Sequence, residues 1–205
     1  EVWPGSSGWY AEILAPYLRK NGQFIAANYS AQSESEYRRR GVETFKQKML
    51  SRPEIYDRVI VTTLAPPDEM PEVERASVDL IVSARNLHNW IRAGSAETMF
   101  SAMFTLLKPG GGLGLVAHRG TKDMVGVQAA RKGYLAKSEA LRLGLGAGFV
   151  LEAESEINAN PRDTKNYPAG VWTLPPVLRL GQEERSKYLE IGESDRMTLL
   201  FRKPN

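Results

Sequence analysis

Two histidines are all the chain has, and each comes within five residues of the end of a short β-branched or apolar run. His88 lies in Arg85-Asn86-Leu87-His88-Asn89-Trp90, after VDLIVS, and His118 lies in His118-Arg119, after LGLVA. A neutral imidazole can take a proton from a hydroxyl or an amine, so both are candidate general bases. Asn86 and Asn89 beside His88 can orient a polar ligand. Glu1, then the turn Pro4-Gly5-Ser6-Ser7-Gly8, is a second concentration of chemistry. Small residues there let backbone approach a ligand, and the free N–H groups of a following helix favour carboxylate or phosphate. A tight strand-to-helix turn with no ligand would carry the same residues. A metal held by His88, His118 and a carboxylate is possible in composition, but no helical ligand spacing supports it. Trp90 and Trp172 read first as packing residues.

These residues need elements to hold them. Glu1-Val2 reads as the end of a first strand, so a helix and the start of that strand are expected upstream. Tyr10, Ile13, Leu14, Tyr17 and Leu18 keep helical spacing, with Pro16 expected to kink or shorten the helix. Strands are expected at 23–29, 59–64, 78–83, 113–117, 149–157 and 197–201, and helices at 34–50, 95–107 and 136–145. Tyr37, Phe45 and Met49 are the expected buried side of the second helix. Lys108-Pro109-Gly110-Gly111-Gly112 reads as a stop between helix and strand. Strands alternating with helices predict a mainly parallel sheet covered on both faces. Ligands of such sheets bind beyond the carboxyl ends of the strands, where the turn and both histidines fall. The segment 158–192 contains no clear helix. Its Asn158, Asn160, Arg162 and Asp163, with Val171-Trp172-Thr173-Leu174, suggest a lid over those strand ends.

Composition narrows the function classes. The 205 residues, 42% apolar and 25% charged, suit one globular domain, 1–205. The absence of cysteine excludes disulfides, thiolate metal sites and a cysteine nucleophile. A net charge of +3 is too small to suggest nucleic acid, and Arg38-Arg39-Arg40 sits among glutamates as a solvated helix face. No apolar run is long enough to span a membrane.

An acidic strand end, a Gly-rich turn, VDLIVS and LLKPGGGLGLV come in one order along the chain. That order resembles the class I S-adenosylmethionine-dependent methyltransferases. EVWPGSSGWYAEILAPYL, ARNLHNW, EINANPRDTK and GVWTLPP resemble a bacterial group of uncharacterised predicted methyltransferases within that superfamily. The resemblance covers nearly the whole chain. It implies a Rossmann-like α/β fold with a seven-stranded, mainly parallel sheet, helices on both faces and an antiparallel last strand. It implies S-adenosylmethionine as cofactor, held by Glu1, Gly5, Ser6, Ser7, Gly8, Asn28 and Asn86, and a small-molecule acceptor served by His88 or His118. A cytoplasmic location follows from the cofactor, with export left open. Two departures stand out. Trp3 and Ser7 occupy the first and third glycine places of the family turn, and Asn28 stands where a ribose-binding acid is usual. The alternatives are a binding protein of the same fold without transfer activity and, third, a nicotinamide-dependent oxidoreductase.

Overall fold

A computed structural model of the chain describes residues 1–205. Its strands form a two-stranded parallel sheet and a mixed four-stranded sheet. In the first, β1 (Ile25–Asn28) pairs in parallel with β2 (Ile60–Thr63). In the second the order is β3 (Val78–Ala84), β4 (Leu107–His118), β6 (Arg196–Arg202) and β5 (Val150–Ser155). The expected single seven-stranded sheet is therefore corrected to six strands in two sheets. Residues 1–3, of which Glu1-Val2 are expected to end the first strand, make one parallel bridge, Val2 to Ala27, instead of a ladder. They still tie the sheets together. Ala27 N donates to Glu1 O at 2.9 Å, Trp3 N to Ala27 O at 2.8 Å, and Val2 N to Val82 O at 2.9 Å.

The last strand behaves as expected. β6 runs antiparallel to both β4 and β5 and lies between them. Its period-two pattern explains this: Met197, Leu199 and Phe201 are buried in the main core, and the residues between them are not. The edge strand β5 is shorter than the expected 149–157. A register shift between Leu151 and Ala153 interrupts the pairing, and Ile157 lies beyond its end, 84% exposed.

The helices fill the gaps between strands with small residues where backbones must approach. In α1 (Trp9–Leu18) the buried residues are Ala11 and Ala15, whereas Ile13 and Tyr17, expected inside, are exposed. Pro16 sits in its last turn, where it cannot donate to Glu12 O, and the helix runs only two residues further, to Leu18. In α2 (Glu36–Ser51) Phe45 and Met49 are buried as expected, but Tyr37 is exposed. Short α3 (Pro53–Tyr56) follows. Neighbouring residues of β1 serve opposite faces: Ala26 belongs to a cluster with α1, α2 and α3, Ala27 to the main core. α5 (Ala96–Leu106) gives Met99, Phe100 and Met103 to that core. The Lys108–Gly112 stop is drawn into β4, which starts at Leu107, with a register shift opposite Val78–Leu80. Three further helices are α4 (Leu87–Arg92), α6 (Gly126–Arg131) and α7 (Lys137–Gly146). Gly144 within α7 is a packing position: a Cβ there would stand 2.5 Å from the Phe201 ring.

The segment 158–192 is more ordered than expected. It contains a 3-10 turn, Gly170–Thr173, and α8 (Arg185–Ile191). α8 escapes sequence reading because its seven residues bury only Tyr188. Tyr167, Val171, Leu174 and Tyr188 pack with Tyr134 into a small core of their own.

Candidate active site

The site is built where Val2, β1, β3 and β4 end. After Val2 the chain turns through Trp3 at φ 55° and Gly5 at φ 69°, and Gly8 at φ 54° precedes α1. A positive φ is costly for tryptophan, and the costs are met by its contacts. Trp3 Nε1 donates to Leu64 O at 2.8 Å, and its ring lies 4.6 Å from Tyr29 and 5.9 Å from Trp90. The Arg38 guanidinium sits 5.0 Å over the Trp3 ring. Asn86 secures the turn from the other side: its amide donates to Val2 O at 3.2 Å, Trp3 O at 3.1 Å and Ser83 Oγ at 3.1 Å.

Gly5 and Gly8 have different reasons to be glycine. A Cβ on Gly8 would meet the Phe45 ring at 2.6 Å, so Gly8 is there for packing. A Cβ on Gly5 would meet nothing within 4 Å, so the backbone faces open space. That space is the second of two adjoining cavities of about 600 Å³ each, with Trp3, Pro4, Ser6, Ser7, Arg85 and Pro176 in the walls of both.

The first cavity also reaches Glu1, Lys48, Asn158 and Arg196. Here Lys48 pairs with Glu12, and Arg196 with Glu193. Glu1 has no such partner: its Oε2 is buried without a hydrogen bond. Burial pushes its carboxyl up to about 7. A carboxylate so placed suits a cationic group.

The second cavity is the histidine side. His88, buried on α4, and His118, at the end of β4, have ring centroids 5.5 Å apart. Trp172 of the 158–192 segment stands edge-on to His88 at 5.8 Å. Burial, then Arg92 and Arg85, push His88 down to about 4. Burial also holds His118 well below the usual imidazole range, with His88 and two arginines adding to it. Both rings are therefore neutral near pH 7, with their affinity for a proton lowered by burial. Ser194 Oγ lies 2.6 Å from His118 Nδ1 and sets that ring's orientation. Nothing in the spacing of Ser194 in the sequence marked it.

The structure thus brings Glu1, Gly5, Ser6, Ser7, Asn86, His88 and His118 around one continuous opening. Gly8 and Asn28 do not line it. Asn28 ends β1 but is fully buried, with Oδ1 accepting from Tyr29 N at 3.3 Å and Nδ2 unpaired. Tyr29, one residue on, reaches the second cavity instead. Trp90 is fully buried between Trp3 and Phe100, a packing residue. No three His, Asp or Glu side chains converge as metal ligands.

The lid residues divide by role. Asn158 lines the first cavity and donates to Thr198 Oγ1 at 2.8 Å. Buried Asp163 accepts from Tyr134 Oη at 2.9 Å, Asp195 N at 2.7 Å and Lys165 N at 2.8 Å. Arg119 bridges Asp195 and Glu156 at 2.8 and 2.6 Å. The Asn158 and Asp163 contacts fasten the segment to the body of the fold, and Trp172 stands edge-on to His88.

No protein-family model and no curated protein matches the chain. Solved structures do. An S-adenosylmethionine-dependent methyltransferase from Methanosarcina mazei superposes with a TM-score of 0.63 at 11% identity, over 99% of this chain and 90% of that one. The chain has the S-adenosylmethionine-dependent methyltransferase fold. A putative sarcosine dimethylglycine methyltransferase from Galdieria sulphuraria gives 0.61 at 16% identity, over 99% and 77%. The cyclase SpnF gives 0.66 at 14%, over 99% and 74%. A fold shared by transferases and a cyclase leaves function to the site itself.

Proposed function

We propose that the chain is an S-adenosylmethionine-dependent methyltransferase acting on a small molecule. The observation that carries this is the unpaired, buried Glu1 carboxylate in the first cavity, which shares Trp3, Pro4, Ser6 and Ser7 with the second, the one that the open backbone at Gly5 faces. The cofactor has a sulfonium and an ammonium against one carboxylate, so a lone buried acid fits its net positive charge. Its other supports in the turn are Gly5, Ser6 and Ser7, with Gly8 and Asn86 fixing the turn's shape. Asn28 is proposed only as a neighbour of the ribose end, because it lies behind the cavity wall.

When bound, the cofactor supplies an electrophilic methyl group. What the protein adds is position, dryness and a place for a proton. Cavities of about 600 Å³ match small ligands in size. His88 or His118, neutral and buried, accepts the acceptor's proton, and Ser194 holds His118 for that task. Trp172 shields the imidazoles from water, which strengthens the fixed dipoles around them. Holding nucleophile, methyl carbon and sulfur in line supplies much of the rate. Calorimetry with S-adenosylhomocysteine tests the binding half, and methyl transfer from labelled cofactor to a metabolite extract tests the other.

Trp3 favours a second reading. Its indole fills space beside Tyr29 where the family has glycine, which suits a protein that binds a ligand without transferring a methyl group. Binding of S-adenosylhomocysteine with no label transferred in any extract would favour it.

A further inference from the structure

The two cavities differ in charge. In the first, Glu1, Glu12 and Glu193 face Lys48, Arg85 and Arg196, so the signs balance. In the second, Arg85, Arg92 and Arg179 face one carboxylate, Glu193, which Arg196 already holds. None of these three arginines makes an ion pair anywhere in the fold. We infer that the second cavity takes an anionic acceptor, a small molecule bearing a carboxylate or a phosphate held by Arg85, Arg92 and Arg179. This rests on the methyltransferase reading for the word acceptor, but not for the anion.

Three features show a built arrangement. Arg85 has φ 62°, a conformation that arginine rarely adopts, and its N–H donates to Val116 O at 2.7 Å. Backbone strain at a strand end is kept where something over-determines it. Arg179 lies 4.8 Å over the Trp172 ring, which leaves the guanidinium edge free for hydrogen bonding. His88 lies between Arg85 and Arg92 closely enough for both to act on its proton affinity. An anion there would cancel part of their field, so the imidazole becomes a better base as the acceptor arrives. Guanidinium groups pair with carboxylate and phosphate through two parallel hydrogen bonds, so both anions share this chemistry.

The test is ligand-observed NMR on the intact protein, with and without S-adenosylhomocysteine. The probes are benzoate, phenyl phosphate and benzamide. Benzoate or phenyl phosphate should bind and benzamide should not, and the preferred anion tells carboxylate from phosphate. Arg92→Gln and Arg85→Gln should each weaken the preferred anion about tenfold, the loss of a charge-assisted contact. Arg40→Gln, an exposed charge on α2 paired with Glu36, should leave binding unchanged. Arg92 is exposed on α4, so its variant keeps the test valid if Arg85→Gln fails to fold. The proposal is overturned if benzamide binds as well as the anions, if neither anion binds, or if Arg92→Gln binds like wild type. Anion binding without S-adenosylhomocysteine binding would sink the methyltransferase reading alone, and the reverse would sink this inference alone.

Discussion

Gly170→Ala should detach the segment that roofs the site. Gly170 has φ 58°, and a Cβ there would stand 2.8 Å from both the carbonyl carbon and the Cα of Lys132, and closer still to its oxygen. The obstacle is backbone, and it cannot swing away, because Val171 N already donates to Lys132 O at 2.9 Å. Alanine in the left-handed region costs about 1–2 kcal/mol. Overpacking against a fixed neighbour adds about 1–3 kcal/mol. The sum is about 2–5 kcal/mol, and at about 2–4 °C per kcal/mol for a chain of this size Tm should fall by about 4–20 °C. Thermal unfolding by circular dichroism reads this, with limited proteolysis of 158–192 as companion in case the segment opens without global unfolding. A variant with Tm within about 2 °C of wild type and unchanged protease resistance would refute the close packing of these two backbones.

Gly5→Ala places its methyl in open space, so stability should drop only by about 1 kcal/mol for the positive φ, while S-adenosylhomocysteine affinity falls at least severalfold; isothermal calorimetry beside urea unfolding separates the two. Tyr134→Phe removes the hydroxyl that donates to buried Asp163 and should cost about 1–3 kcal/mol, read as a lower urea midpoint. His88 and His118 have folded pKa values below their unfolded ones, so the unfolded chain binds more protons and their stability contribution is lost as pH falls from about 6.5 towards 4. Glu1, raised to about 7, acts oppositely, favouring the fold as pH drops from about 7 to 4.5. His88→Gln should therefore flatten the acid-side loss in urea midpoints and Glu1→Gln should steepen it; unchanged profiles in both would contradict the burial described.

How much of this was legible in the sequence depends on the range of the contacts. The antiparallel insertion of β6 follows the family resemblance, and its Met197, Leu199, Phe201 alternation is local enough to read. The Gly5 turn and both histidines were placed on one rim by the rule that ligands sit beyond strand ends. The inner face of α1 is not legible, because spacing favours its large residues, whereas Phe45 packing near Gly8 selects the small Ala11 side. Ser194 beside His118, and Asp163 beneath Tyr134, pair across 76 and 29 residues, and no periodicity records such partners. The arginines of the second cavity come from β3's end, α4 and the roof, so their convergence exists only in three dimensions.

Calorimetric titration with S-adenosylmethionine, S-adenosylhomocysteine and NADH, on wild type and Glu1→Gln, tests the central claim most directly. The account predicts one site shared competitively by the two sulfur compounds, weakened by Glu1→Gln most strongly for the charged sulfonium, and no heat from NADH. Absence of binding by both sulfur compounds, or binding of NADH at that site, would contradict it.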